Sequence, residues 1–154
     1  MSNTFSESQS TQAITLGDGG KNTHLSLQDI MRLGQFAFQA AERVGIDIVF
    51  SFVDQVGAER YFFVMDDALL ISHELATQKA WTAVALKTPT SDLAEKILPG
   101  QSLYGLQNTP KACCIGGGVP IWKDTQLLGA IGISGGTVEQ DCAIAQVAIS
   151  LFTR

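Results

Sequence analysis

Basic side chains are scarce and never adjacent. Ten Lys and Arg are scattered singly against fifteen Asp and Glu, for a net charge of −5. No basic face is therefore available for nucleic acid or an anionic membrane, and neither is expected as a partner. Long apolar runs are missing as well. No stretch approaches the 18 or so residues of a membrane span, and the Ser/Thr/Gln-rich N-terminus lacks the charged-then-apolar pattern of a secretory leader. A cytoplasmic address is the expectation. Cysteine is confined to Cys113, Cys114 and Cys142, an odd number that builds no disulfide framework. Neighbours on an extended chain also point to opposite faces, so Cys113 and Cys114 do not converge on one metal. Histidine is confined to His24 and His73.

What the chain does have is a core. Its 154 residues are 45% hydrophobic and 16% charged, enough apolar material for one domain with a buried interior. Met1 to Gln12 offers little to bury beyond Phe5, and Gly17-Asp18-Gly19-Gly20 follows before any periodicity begins. Residues 1–22 are expected to form a flexible tail, with a short ordered piece at Ala13–Leu16, and residues 23–154 a single domain.

Ser26 and Asp29 resemble a capping box, and Ile30, Leu33, Ala37, Ala40, Ala41 and Val44 recur at helical spacing up to a stop at Gly45. Ile46–Val53 and Ala58–Met65 are rich in Val, Ile, Phe and Tyr around the turn Asp54-Gln55-Val56-Gly57, which predicts a hairpin. A second helix, capped by Ser72, runs through Leu75, Ala76, Lys79, Ala80, Ala83 and Val84 and ends before Thr88-Pro89. Residues 90–110 read as a long irregular connection. Lys111–Ile115, Val119–Trp122 and Leu127–Ser134 read as three short strands, and Thr137 with Gln140 caps a last helix. Hairpin pairing dominates, so the fold class is α+β with a largely antiparallel sheet.

Glycine is the strongest local signal. A turn near Asp124 and Thr125 sets Gly116, Gly117 and Gly118 beside Ile131–Ile133, at the end of the sheet that also carries Gly135, Gly136 and the start of the last helix. Unpaired backbone N–H groups there could receive a carboxylate or phosphate; equally, these glycines could serve turns and close strand packing alone. Two motif readings fail. No Gly-Lys-Ser/Thr occurs, so there is no P-loop. Gly132-Ile133-Ser134-Gly135-Gly136 matches Gly-x-Ser-x-Gly, but no histidine follows Ser134 to complete a hydrolase triad. His24, before the first helix, and His73, at the start of the second, are the candidate metal and tetrapyrrole ligands, with simple solvation as the alternative. Asp54, Asp66 and Asp67 have turn and cap duties available to them. Lys79 is either a charge partner for an acidic ligand or a side chain snorkelling over apolar surface. The cysteines read as small buried hydrophobes.

Met65-Asp66, Lys79-Ala80-Trp81-Thr82-Ala83, Gly116-Gly117-Gly118-Val119-Pro120-Ile121, Gly129 through Gly136, and Gln140-Asp141-Cys142-Ala143 together resemble the GlcG/HbpS family, also called the haem-degrading domain family. The likeness runs from about Leu25 to Phe152. Pro99 through Leu106 and Gly136 through Asp141 are most similar to the branch typified by the C-terminal domain of PduO, associated with cobalamin-dependent diol and glycerol use. The resemblance implies a profilin-like fold with a five-stranded antiparallel sheet flanked by helices, haem binding, and self-association into dimers or larger homo-oligomers. The expectation is a small haem- or tetrapyrrole-binding accessory protein. In it His73 or His24 ligates the iron, and Gly116, Gly117, Gly118, Gly135 and Gly136 cradle the acidic groups of a tetrapyrrole or small acidic ligand. The competing readings are an enzyme acting on haem or a small organic acid, with Asp54 or Asp66 as base, and an assembly subunit without a ligand.

Overall fold

The computed structural model describes residues 24–154; the expected tail at 1–22 lies outside them. Helix α1, Leu27–Val44, starts where the Ser26 hydroxyl accepts the Asp29 N–H at 3.1 Å and donates to the Asp29 carboxylate at 2.9 Å. It ends at Gly45, whose φ of 73° is left-handed, so that a side chain there would be strained. Its apolar stripe of Ile30, Leu33, Ala37 and Ala41 is fully buried. Strands β1, Val49–Asp54, and β2, Glu59–Val64, form the expected hairpin. Asp54 holds its turn, its Oδ1 accepting the N–H groups of Val56 and Ala58 at 3.1 and 3.0 Å.

Helix α2, Ser72–Leu86, differs from expectation at its start. Ser72 is not the cap: the cap position is Ile71, in helical conformation and without a side-chain bond. The preceding turn is already coiled, with the N–H groups of Ser72, His73 and Glu74 donating to the carbonyls of Leu69, Leu70 and Ile71. The first-turn donors are thus satisfied without a capping hydroxyl. Ser72 is buried instead, its Oγ accepting from Ser134 Oγ at 3.0 Å.

The expected strand at Lys111–Ile115 does not form, and the sheet has four strands in the order β2-β1-β4-β3, all antiparallel, where five were expected. Lys111 takes a left-handed φ of 71°, which breaks an extended run, and the Cys113 N–H donates to the Thr82 hydroxyl of α2 at 2.9 Å rather than to a ladder. β3, Gly118–Lys123, and β4, Gln126–Ser134, pair as Val119 with Ile131 and Lys123 with Gln126, and an irregularity after Ile121 sets Gly118 opposite Gly132. Pro120 fits because β3 is an edge strand. Helix α3, Val138–Phe152, opens with the full Thr137/Gln140 capping box.

The layers follow from the alternation of side chains. One sheet face, with Phe50, Phe52, Ile131 and Ile133, packs against α1 and α3; Val53 and Ala130 on the other meet Ala80, Ala83 and Val84 of α2. Burying each large apolar side chain of this kind contributes roughly 1.5–3 kcal/mol. Ser51, Gly132 and Gly118 lie side by side across β1, β4 and β3. This row of small residues lets the α2 backbone settle directly onto the sheet: a Cβ on Gly132 would collide with the Ala76 carbonyl, and one on Gly118 with that of Lys79.

Candidate functional site

The end of the sheet where β4 stops gathers most of the expected site residues. Ile133 donates its N–H to the Gly117 carbonyl at 2.9 Å. The bond from Ser134 to Ser72 ties the first turn of α2 to the end of β4, while the His73 ring lies against Phe62 of β2. Gly117 and Gly135 therefore share one end of the molecule, as the strand pairing predicts. The space on their side-chain faces is taken by the protein itself. A Cβ on Gly116 would lie 2.6 Å from Cys142 Sγ, one on Gly117 3.0 Å from Lys79 Nζ, one on Gly135 2.8 Å from Ile48 Cα, and one on Gly136 2.6 Å from Gln140 Oε1. Close packing of α2, α3 and the chain before β1 uses these glycines.

At the centre of this end sits a buried ion pair the sequence reading missed. Lys79 is 2% exposed, so it does not snorkel; its Nζ donates to the Ile133 carbonyl at 2.9 Å and to Asp141 Oδ2 at 3.1 Å. Asp141 Oδ1 accepts the Gly136 N–H at 2.9 Å. Burial pushes the Asp141 carboxyl above its ordinary range, against the pull of Lys79 and of the Gly136 and Gly135 N–H groups. The signal was available: Lys79 stands on the apolar stripe of α2 between Ala76 and Ala80, where a charge needs a buried partner. Nearby, burial raises the Cys142 thiol, and burial with the adjacent Cys113 raises that of Cys114. Neutral thiols are poor metal ligands. Among the described residues no group of three or more His, Cys, Asp or Glu could hold a metal ion.

The histidines part company. His73 is exposed on the first turn of α2, its ring set edge-on to Phe62 at 6.3 Å between centroids. Around it the surface is unusually apolar: Phe62 and Val64 on β2, and Leu69, Leu70 and Ile71 in the turn before α2, are all exposed, Leu70 by 82%. His24 is exposed before α1. The other end of α1 lies at the glycine end, where Ile46 approaches Gly136. Eighteen residues of helix separate the two, about 27 Å, so His24 and the glycine end do not serve one site within a single chain. Asp66 is exposed, and Asp67 donates its N–H to Asp47 Oδ2 at 2.7 Å.

On the other side of β2, toward α1, a cleft of about 620 Å³ opens over Phe38, Tyr61 and Phe63, with Glu42, Asp47 and Asp66 also among the residues that line it. Gly34 makes room for its wall, since a Cβ there would lie 2.7 Å from the Tyr61 ring. No helix among the described residues is long and apolar enough to cross a membrane.

Comparison with known proteins fits this architecture. The C-terminal part of the corrinoid adenosyltransferase PduO of Salmonella typhimurium is 47% identical over 128 residues, which are 82% of this chain and 38% of that protein. The chain thus spans less than two fifths of that relative's length. The crystal structure of a PduOC:haem complex superposes with a TM-score of 0.81 at 46% identity, covering 83% of this chain and 94% of that one. The Klebsiella pneumoniae protein ORFY superposes with a TM-score of 0.82 at 35% identity, covering 90% and 97%. The family described as haem degrading protein HbpS-like matches residues 25–150, and the chain belongs to that HbpS-like family.

Proposed function

We propose that the protein is a haem-binding accessory protein of the cytoplasm, working as a homo-oligomer in cobalamin-dependent diol or glycerol metabolism. The observation that carries this reading is the imidazole of His73 standing free on an exposed apolar shelf of Phe62, Val64, Leu69, Leu70 and Ile71. A porphyrin needs that combination, apolar surface for the macrocycle and a nitrogen for its iron. The solved haem complex of PduOC and the family description support it. Bound there, haem would supply a redox-active iron and a visible chromophore. His73 would hold the iron and the shelf would exclude water from one face. The expected cradle at Gly135 and Gly136 is filled by the protein's own Asp141 carboxylate, which takes the N–H groups of both, so the propionates are not assigned to it. Gly116, Gly117 and Gly118 are engaged in packing and would shape the glycine end rather than touch the ligand.

Haem titration of the purified chain tests the reading. A Soret band should appear near one haem per chain and be lost or shifted in His73→Ala. If His24→Ala alone abolishes it, the iron sits at the start of α1; an unchanged spectrum in both variants removes histidine ligation. Incubation with haem and a reductant, following bilin or iron release, separates a carrier from a haem-consuming enzyme.

A further inference from the structure

The cleft between α1 and β2 has no place in the haem reading. Its volume, about 620 Å³, is that of a small-molecule pocket. Its wall is aromatic: the half-buried rings of Phe38, Tyr61 and Phe63 face it, with Phe50 stacked behind Phe63 at 5.2 Å. Neither the Tyr61 hydroxyl nor the side chains of Glu42 and Asp66 have a partner among the described residues. Lys, Arg and His are absent from the lining, while Glu42, Asp47 and Asp66 contribute three carboxylates.

That charge decides the ligand class. A dicarboxylate such as haem would carry its acids into like charge, which disfavours binding. An organic cation gains twice, from ring faces that attract positive charge and from carboxylates left without counterions. We propose that this cleft binds a small organic cation, an ammonium or amidinium nitrogen on an apolar or aromatic body. The apolar body lies against Phe38, Tyr61 and Phe63, and the charge lies toward Glu42, Asp47 and Asp66. Its aromatic wall lies on the face of β2 opposite Phe62 and His73, and Val64, at the end of the strand, borders both sites.

The test uses the full chain and three isosteric probes followed by amide NMR: benzyltrimethylammonium, its neutral carbon analogue neopentylbenzene, and phenylpropionate. The cation should give saturable shifts at Gly34, Glu42, Gly45 and Asp47, with phenylpropionate giving none. The doubly neutralised surface variant Glu42→Gln/Asp66→Asn, which touches no core residue, should bind the cation about fivefold more weakly or worse while melting like the parent. Tyr61→Leu should weaken it independently through the loss of a ring face. No saturation by about 10 mM, equal binding of the neutral analogue, or full affinity in the carboxamide variant would overturn the proposal. So would a preference for arginine amide over the aromatic cation, which would point to a basic peptide.

Discussion

Lys79 and Asp141 are the residues on which the glycine end turns. Removing one partner of a buried pair strands a charge at a cost of about 3–5 kcal/mol, whereas replacing both with apolar side chains of similar volume costs far less. Lys79→Met and Asp141→Leu should therefore each lose stability on that scale in urea unfolding, and the double variant should regain more than half of the summed loss. The pH dependence has a definite sign. The Asp141 carboxyl sits above its unfolded value of 3.8, so the folded state holds that proton more tightly. The stability this contributes is complete below 3.8 and fades as pH rises through the folded value. Without Lys79 the carboxyl is driven higher still. The deficit of Lys79→Met relative to the parent should then be small at about pH 4 and grow toward neutrality; a deficit independent of pH would mean that the two groups do not interact as the geometry indicates. The sequence shows Lys79 on an apolar stripe but not its partner, which lies 62 residues away.

At the scale of elements, what was legible is what short-range chemistry specifies. Ser26 and Asp29 at one helix, Thr137 and Gln140 at another, and Asp54 in its turn all bond within four residues of themselves. Lys111–Ile115 was misread because an apolar run long enough for a strand is equally suited to buried coil, and the deciding bond, from Cys113 to Thr82, is distant in sequence. The glycine cluster was seen, but its uses are in packing: Gly117, Gly118 and Gly132 seat α2, and Gly116, Gly135 and Gly136 seat α3 and the chain before β1. Gly132 has no room for a methyl because the obstacles, the Ala76 carbonyl and the Ala80 nitrogen, are helix backbone and do not swing aside. Gly132→Ala should therefore lose about 2 kcal/mol or more. Gly45→Ala, with nothing within 4 Å, should lose only the left-handed strain of about 1 kcal/mol. Equal losses in thermal melts would contradict this account of the row.

For the molecule as a whole, hairpin pairing predicts an antiparallel sheet with helices packed on it, and the helices flanking it follow from the family resemblance; the central strands β1 and β4 are buried on both faces and carry no alternation that would assign the layers. The cleft was not foreseen because Phe38 belongs to α1 and Tyr61 and Phe63 to β2, and they become one surface only when α1 crosses β2. The same holds for His73, whose apolar surroundings come from β2 and the turn ahead of α2. The ion pair has a consequence at this scale as well. Lys79 belongs to the layer on one face of the sheet and Asp141 to the layer on the other, so neither layer can lift away without uncovering a buried charge. Protection against hydrogen exchange should accordingly be shared: the slowest amides of α2 and α3 should open with one common free energy in the parent chain. In the doubly apolar variant α2 should exchange first, as a unit of its own.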